Sequence, residues 1–475
     1  MTRSSAAAVA LRIACAMALF TGVPAATASA AFAAPGPDTG SPTAGGAGSG
    51  DPYFPLAGNQ GYDVAHYDLD LDFTPATHHL TAEATIRATA QRYLRSFDLD
   101  YSGPEITGVE VDGRPARFRR EGQELVVEPV RPPRPGEGFT VKVAYQGVPQ
   151  RISDPVLGDY GWLNTDDGAV ALNEPDGART WYPVNDDLND KATYTFRITT
   201  PSGVKALANG EQHGEAQVHG GRSTVTWEMR RPMASYLSMV AIGDFRVTRG
   251  EAGGIPSVTA YDPAAGGDDT FLRATTERAV VEQARRFGRY PFDSVGGIID
   301  RIGVGYELET QSRPVYDGEP DELAVVHEIA HQWFGDSVTP RTWRDIWLNE
   351  GFATFAEWRW QEDHGGPTAR ETFDGYYATP ATDPFWQLKT GDPGHDNIFD
   401  QDAVYTRGAM TLQALRELIG ERDFATLLAE WPTRYRYGNA DSCDLRALAE
   451  QISHRDLGAF FDAWLYTAAK PAPPA

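Results

Sequence analysis

Residues 327–335 read His-Glu-Ile-Ala-His-Gln-Trp-Phe-Gly, and residues 347–355 read Trp-Leu-Asn-Glu-Gly-Phe-Ala-Thr-Phe. The first stretch has the apolar periodicity of a helix that packs on a core. Four residues of α-helix rise about 6 Å and return to nearly the same face, so His327 and His331 point in one direction. Both imidazoles can therefore bind a single ion at the ~2.0–2.1 Å that zinc–nitrogen bonds require.

Glu350 is the candidate for a third ligand. A catalytic zinc site takes three protein ligands and leaves the fourth position for water. Eighteen residues separate His331 from Glu350, and Thr339-Pro340 interrupts the helical pattern between them. This length allows the first helix to end and a second helix to return antiparallel to it. The sequence therefore predicts a site for one zinc ion, formed by His327, His331 and Glu350.

Two further carboxylates belong to the same helices. Glu328 lies next to a ligand but cannot comfortably bind the same ion, so we predict that it is the general base. Taken alone, it would be an ordinary surface carboxylate. Glu357 follows Glu350 by seven residues on the same helical face. It is either a hydrogen-bond partner of a ligating histidine or a plain surface carboxylate.

With both stretches in place, the sequence resembles the zinc aminopeptidases typified by aminopeptidase N and related to leukotriene hydrolase. The metal motif of that family is His-Glu-x-x-His, eighteen residues, and then Glu within Asn-Glu-Gly-Phe-Ala, which matches residues 327–331 and 349–353. The resemblance extends to residues 181–194, 290–292 and 405–409. It implies an N-terminal saddle-like all-β domain, a thermolysin-like, mainly helical zinc-peptidase domain, and release of N-terminal residues from peptides with a free amine.

The resemblance also implies three further site residues. Tyr405 opens a Tyr-x-x-Gly-Ala segment and is expected to stabilise the oxyanion. Glu309 matches the glutamate of a Gly-x-Met-Glu-Asn motif and is expected to bind the α-amine, although Tyr306 and Thr310 replace the first and last residues of that motif. Glu174 is expected to be a second amine-binding carboxylate, contributed by the β domain.

The first thirty residues have the layout of a secretory signal peptide. Arg3 and Arg12 precede an apolar run, Ile13 to Val23, and Ala28-Ser29-Ala30 offers a small-residue cleavage site. The run is too short for an ordinary membrane span. We therefore expect that residues 1–30 are removed and that the protein is secreted.

The remaining chain divides by its periodicity. Residues 31–52 are rich in Pro and Gly and are predicted to form a flexible linker. Residues 53–248 show apolar alternation interrupted by turn dipeptides, which is typical of half-buried antiparallel strands, so we predict an all-β domain. Residues 249–475 are assigned to the catalytic domain, which is predicted to be mainly helical and to carry a small sheet that includes a short strand at 297–299. Helices are predicted around residues 271–287, 321–334, 347–360, 403–419, 422–431, 444–453 and 457–468.

The net charge of the chain indicates which kinds of partner it can bind. The 475 residues carry a formal charge of −24, from 66 acidic against 42 basic side chains. Such a surface repels phosphate backbones, so we expect peptide substrates and no nucleic acid. Three other functions stay open: a peptide-binding protein of the same fold without catalysis, an endopeptidase, and an epoxide hydrolase. The presence of Glu328 and Tyr405 argues against the first.

Overall fold

The computed structural model of the protein describes residues 41–473. The predicted signal peptide, residues 1–30, and residues 31–40 of the predicted linker lie outside the described residues. The described chain begins with β-sheets and continues into helices, and its buried apolar side chains form one continuous cluster. The prediction of a β domain followed by a mainly helical domain is confirmed.

The β domain consists of short and long strands joined by turns. Its strands are β1 Thr43–Ala44, β2 Gly46–Ala47, β3 Asn59–Gln60, β4 Tyr62–Thr74, β5 His79–Ala90, β6 Leu94–Asp100, β7 Glu105–Val111, β8 Arg114–Pro115, β9 Arg117–Glu121, β10 Glu124–Glu128, β11 Gly138–Gly147, β12 Ile152–Asp154, β13 Gly158–Asn164, β14 Ala169–Leu172, β15 Ala192–Pro201, β16 Lys205–Ala208, β17 Glu211–Gln212, β18 Gln217–His219, β19 Arg222–Met233 and β20 Val240–Gly243.

Two sheets dominate this domain. The nine-stranded sheet has the order β17-β19-β15-β4-β5-β11-β7-β8, with β18 beside β19. In β4 the side chains of Tyr67, Leu69, Leu71 and Phe73 are buried, and this alternation follows the predicted period of two. The five-stranded sheet has the order β12-β13-β14-β20-β16. Its strand β14 is entirely buried and ends two residues before Glu174.

The linker prediction is wrong for its described part from Thr43 onwards. Strand β1 pairs with β6, and β2 pairs with β3. Asp51 is 8% exposed, and its carboxylate accepts hydrogen bonds from the backbone N–H groups of Tyr53, Phe54 and Trp343. The glycine and proline content indicated flexibility, but main-chain pairing requires no large side chains.

The second domain begins where the sheet changes. Strand β20 ends at Gly243, and β21 starts a new sheet at Arg246, so the predicted boundary at 248/249 cuts through β21. The new sheet has the order β21-β22-β23-β24, and β25 pairs with β26. These strands are β21 Arg246–Ala252, β22 Ile255–Tyr261, β23 Val295–Asp300, β24 Val315–Asp317, β25 Val338–Pro340 and β26 Gly438–Ala440. The helices are α1 Thr270–Phe287, α2 Glu322–His331, α3 Trp347–Asp363, α4 Ala369–Tyr377, α5 Arg407–Ile419, α6 Glu421–Arg434, α7 Ser442–Ser453 and α8 Gly458–Leu465.

The helices fall close to their predicted positions with two differences. Helix α4 was not predicted, although Thr368 and Glu371 form a capping box at its start. The predicted helix 403–419 is divided, since Gln401–Thr406 form a π-helical turn before α5. Across residues 41–473, every helix is too short or too polar to cross a lipid bilayer.

Candidate active site

Helix α2 carries both predicted histidine ligands. The Asp321 side chain accepts a hydrogen bond from the backbone N–H of Ala324 at 2.9 Å, which caps the N-terminus of the helix. The apolar face of α2 is buried against the core. The His331 side chain is 2% exposed and that of His327 is 12% exposed, so His331 lies at the deeper end of the site.

Helix α3 brings Glu350 against α2. The next residue, Gly351, packs directly against Gly408 of α5: a methyl group on Gly351 would lie 2.8 Å from the Gly408 Cα atom. Any side chain here would separate the two helices, so glycine is required for their close approach. Because Tyr405 lies just before α5, this contact also brings Tyr405 to the same place as Glu350.

The three ligand atoms converge. Glu350 Oε2 lies 3.2 Å from His327 Nε2 and 3.4 Å from His331 Nε2. A tetrahedral ion with bonds of about 2.0–2.2 Å separates its ligand atoms by about 3.3–3.6 Å. The spacing and the donor set of two imidazoles and one carboxylate therefore fit one zinc ion held by His327, His331 and Glu350.

In each histidine a hydrogen bond engages Nδ1, so the Nε2 atom is available to bind the ion. His331 Nδ1 lies 3.1 Å from the carbonyl oxygen of Phe334. A carbonyl oxygen only accepts, so Nδ1 carries the proton. His327 Nδ1 lies 2.6 Å from Glu357 Oε1. Glu357 is therefore a partner of the ligating His327, which decides between the two roles that the sequence left open.

Three further carboxylates surround the ligands. Atoms of Glu309, Glu328 and His331 lie within 4.8 Å of one another, and so do atoms of Glu174, Glu309 and Glu350. Within the described part of the chain, one carboxylate oxygen each of Glu174, Glu309 and Glu328 is buried without a hydrogen-bond partner. Because they lie beside the converging ligand atoms, these oxygens are placed to accept from a group bound there.

Burial of so many carboxylates shifts their proton affinities. Burial raises the pKa of Glu328 to about 8, against the opposing effect of both histidines. Burial, together with the charges of Glu309 and Glu350, raises the pKa of Glu174 well above its ordinary value. Burial also acts to raise the pKa of Glu350, but the charge of His331 and hydrogen bonds to both histidines lower it to about 2. Glu350 is therefore the carboxylate that stays ionised, as a metal ligand must.

Tyr405 completes the group. Its ring lies nearly parallel to the His327 ring, with the centroids 5.9 Å apart. Burial raises the pKa of the phenol well above its ordinary value, and the charges of Glu350, Glu174, Glu309 and Glu328 act in the same direction. The hydroxyl therefore keeps its proton and can donate it in a hydrogen bond. All seven predicted site residues lie in one cleft.

The residue that positions Glu309 was not predicted. Gln332 Nε2 donates to the Glu309 carbonyl oxygen at 3.0 Å, and Gln332 Oε1 accepts from the Ser312 N–H at 2.7 Å. This glutamine follows directly after His331, so α2 fixes both a metal ligand and the Glu309 backbone. Its position directly after the metal motif is the sequence signal that could have identified Gln332 as a site residue.

Contacts from the β domain hold the same loop. The buried Arg313 guanidinium donates to the carbonyl oxygens of Ala208, Gly210 and Val258. Its charge lies 4.7 Å from the centre of the Trp227 ring. These contacts attach the turn that follows Glu309 to both domains, and no sequence pattern marked Arg313.

Lys191 also joins the two domains near the site. Lys191 Nζ donates to the backbone carbonyl oxygens of Asp336 and Ser337. Burial lowers the pKa of Lys191 to about 7. Burial and the charge of Glu309 raise the pKa of Asp336 well above its ordinary value. Asp336 is thus a further buried acidic side chain near Glu309 and Glu328.

Comparison with known proteins gives matches over both domains. Residues 311–464 match the peptidase family M1 domain, and residues 64–237 match the peptidase M1 N-terminal domain. The crystal structure of an M1 zinc metallopeptidase from Deinococcus radiodurans is 30% identical and superposes with a TM-score of 0.82, over 90% of this chain and 99% of that one. A mutant of that protein was crystallised with a Tyr-Ser-Ala substrate.

Longer relatives match over part of their length. Aminopeptidase N of Haemonchus contortus is 28% identical over 350 residues, which are 66% of this chain and 35% of the relative. Glutamyl aminopeptidase of Bos taurus is 27% identical over 446 residues, which are 84% of this chain and 46% of the relative. The chain thus spans between about a third and a half of the length of these two relatives.

Proposed function

The chain belongs to peptidase family M1, and from this membership we propose that it is a zinc-dependent aminopeptidase that removes N-terminal residues from peptides. One observation carries the proposal: beside the three metal ligands lie the carboxylates of Glu174 and Glu309, each with a buried oxygen to which no other described residue donates a hydrogen bond. An ammonium group taken out of water needs opposite charge. A peptide held here by its α-amine has its first peptide bond next to the metal ligands.

The side chains around that bond have separate tasks. Zinc held by the three ligands supplies a positive centre that polarises a carbonyl and makes water a better nucleophile. Glu328 takes a proton from the attacking water and delivers it to the leaving amine. Tyr405 donates its hydroxyl hydrogen to the carbonyl oxygen, where negative charge develops.

Export is part of the same proposal. The basic residues, apolar run and small-residue site within residues 1–30 support a cleaved signal peptide. N-terminal sequencing of protein recovered from the culture medium tests it. A mature chain that starts shortly after Ala30 is expected, and retention of Met1 in cell-associated protein would contradict export.

A panel of aminoacyl arylamides tests the activity. The zinc-loaded protein is expected to release arylamine from several members of the panel, to lose that activity in a chelator, and to recover it with added zinc. A pair of peptides with free and acetylated N-termini then tests the role of the amine. Only the free peptide is expected to be cleaved.

Each alternative function has its own outcome in these assays. Equal cleavage of the acetylated and free peptides would mean an endopeptidase. Binding of peptides without release of product by the zinc-loaded protein would mean a peptide-binding protein. In addition, Glu309→Gln is expected to raise KM by about 10-fold or more, since it removes a charged hydrogen-bond partner of the amine. An unchanged KM would place the amine elsewhere.

A further inference from the structure

Glu307 lies on the same short extended segment as Glu309 and has no part in the proposed chemistry. Leu308, between them, exchanges two backbone hydrogen bonds of 2.9 Å with Val315, and its side chain is 2% exposed. Successive side chains of an extended segment point to opposite faces, so residues two apart share a face. Since Leu308 faces the core, Glu307 and Glu309 both face the cleft.

The segment runs alongside helix α2. Two residues of extended chain advance about 6.6 Å, and four residues of helix rise about 6 Å. Glu309 lies beside His331, with ligand atoms within 4.8 Å. One repeat along each element therefore places Glu307 level with His327. Burial raises the pKa of Glu307, and the charge of His327 opposes that rise.

The cleft is more exposed to solvent near His327 than near His331. His327 is more exposed than His331, at 12% against 2% of the side chain. The carboxylate of Glu309 is buried at the deep end, and a buried oxygen of Glu174 lies beside it. A peptide bound by its amine at the deep end must therefore leave past His327, and hence past Glu307.

The surroundings of Glu307 are acidic. Its carboxylate is half-buried, and burial together with the negative charges of Asp317 and Asp321 raises its pKa. Among residues 41–473, no Lys or Arg forms an ion pair with it. A half-buried carboxylate without a cationic partner is a favourable position for a cation supplied by a ligand.

We infer that Glu307 binds a Lys or Arg side chain at one of the first two residues of the leaving peptide, and so makes the protein selective for substrates that are basic after the scissile bond. The inference rests on the proposed aminopeptidase function. An extended peptide advances about 3.3 Å per residue, so its second and third residues pass the level of Glu307 when the amine is at Glu309. The long stem of Lys or Arg spans the remaining gap.

Matched tetrapeptides test the inference. Their first residue is the one that the arylamide panel shows to be released fastest, and Lys or Gln occupies the second or the third position. The wild-type protein is expected to favour Lys over Gln at one of these positions by about five- to tenfold in kcat/KM. The preference should decrease as the salt concentration is raised, because both charges are partly solvated.

Three variants assign the preference. Glu307→Gln is expected to bring the Lys-to-Gln ratio close to one, and Glu307→Lys to reverse it in favour of a Glu-containing peptide. The control Glu319→Gln removes an equal charge from an exposed residue that precedes α2 and is expected to keep the wild-type ratio. Thermal unfolding of each variant, with zinc content, verifies that it is folded and loaded.

Failure of this inference can be separated from failure of the proposed function. If wild-type protein cleaves arylamides and tetrapeptides but shows no preference for Lys at either position, Glu307 selects nothing. If Glu319→Gln abolishes the preference as fully as Glu307→Gln, the overall field causes it rather than a specific contact, and the inference is again overturned. If arylamides and peptides are not cleaved at all, the proposed function itself fails.

Discussion

Two groups of enclosed carboxylates stand out within residues 41–473, one at the active site between the domains and one inside the β domain. The active-site cluster consists of Glu174, Glu309, Glu328 and Glu350, and the β-domain cluster consists of Asp100, Glu124, Asp186 and Asp190. In the β-domain cluster, Asp100 Oδ2 accepts from the backbone N–H groups of Gly58 and Asp186 and from the side chain of Asn59. Those donors are two backbone N–H groups and one side-chain amide of the protein itself, so Asp100 fixes the surrounding chain.

The active-site cluster differs in what its oxygens face. It adjoins two histidines whose Nε2 atoms point at a carboxylate, and all the groupings of ligand atoms that could hold an ion among residues 41–473 lie there. Burial raises the pKa of Asp186 and of Asp190 to about 7 and that of Glu328 to about 8, so both clusters contain carboxylates that bind protons more readily than exposed ones do. Burial of carboxylates is thus insufficient for a metal site; convergence with nitrogen ligands makes one.

The largest difference between the clusters is expected on removing one carboxylate from each. Glu350→Ala should no longer bind zinc stoichiometrically, because only the two histidines remain as protein ligands. Its rate of arylamide hydrolysis should fall to the rate measured in buffer without enzyme. Glu124→Gln, in the β-domain cluster, should keep both zinc and activity. Elemental analysis and the arylamide assay measure the two effects. Zinc loss from Glu124→Gln would show that the two clusters are not independent.

Within the active-site cluster, Glu328 should affect turnover alone. Glu328→Gln keeps the size of the side chain and removes the base, so kcat is expected to fall by about 10²–10⁴. Zinc content should stay at that of the wild type, which separates this residue from the ligands. A variant with normal kcat would assign the base to another group.

Tyr405→Phe is expected to lower kcat by about 10²–10³, because the ring stays in place while the hydroxyl donor to the developing oxyanion is lost. Since the ground-state carbonyl carries less charge than the oxyanion, KM should change little. Steady-state kinetics on one arylamide gives both quantities. If kcat/KM falls by the same factor but only because KM rises, Tyr405 is a substrate-binding residue instead.

A smaller effect is expected for Glu357, which contacts a metal ligand but does not itself bind the ion. Glu357 orients His327 through the 2.6 Å contact with Nδ1. Glu357→Gln should weaken zinc affinity by about 10–100-fold, as measured by competition with a chelator. Asp363→Asn, at the far end of the same helix and paired with Arg286, is the matched control and should bind zinc like the wild type. Equal affinities in both variants would mean that Glu357 is dispensable for His327.

The sequence predicted the parts of this site that depend on local periodicity. His327 and His331 lie on one face because of the helical repeat, and Glu350 follows after a connection of suitable length. The β strands were found for a similar reason, since alternation of Tyr67, Leu69 and neighbouring residues is itself a local signal. The roles of Glu309, Glu174 and Tyr405 came from family resemblance, and the structure adds that they lie in the same cleft.

Contacts between distant parts of the chain could not be predicted from local sequence patterns. Arg313 binds carbonyl groups of Ala208 and Gly210 more than a hundred positions earlier in the chain. The segment from Thr43 appeared flexible because its composition is small and polar, yet β1 lies beside β6. The β-domain cluster has the same origin: Asp190 accepts from the Val64 N–H at 2.9 Å, and no spacing rule connects these residues.

The smallest predicted effect concerns that cluster and stability, not activity. Burial raises the folded-state pKa of Asp190 to about 7, whereas an unfolded Asp has a pKa of about 3.9. Between these values the folded protein binds the extra proton, so this group's stabilising contribution is complete below about 3.9 and is lost as the pH rises through 7. Asp190→Asn cannot titrate, so its stability relative to the wild type should increase by roughly 1 kcal/mol between pH 6 and pH 8.

Thermal unfolding at both pH values measures this difference for Asp190→Asn, with Asp166→Asn as the control. The Asp166 side chain is 88% exposed, and its removal should shift stability equally at both pH values. Other buried carboxylates of the cluster titrate in wild type and variant alike, so the difference between the two proteins isolates Asp190. A constant offset at both pH values would mean that Asp190 stays ionised through its hydrogen bonds with Val64 and Asn185. The β-domain cluster would then hold its charge as Glu350 does, and the contrast between the two clusters would reduce to the histidines alone.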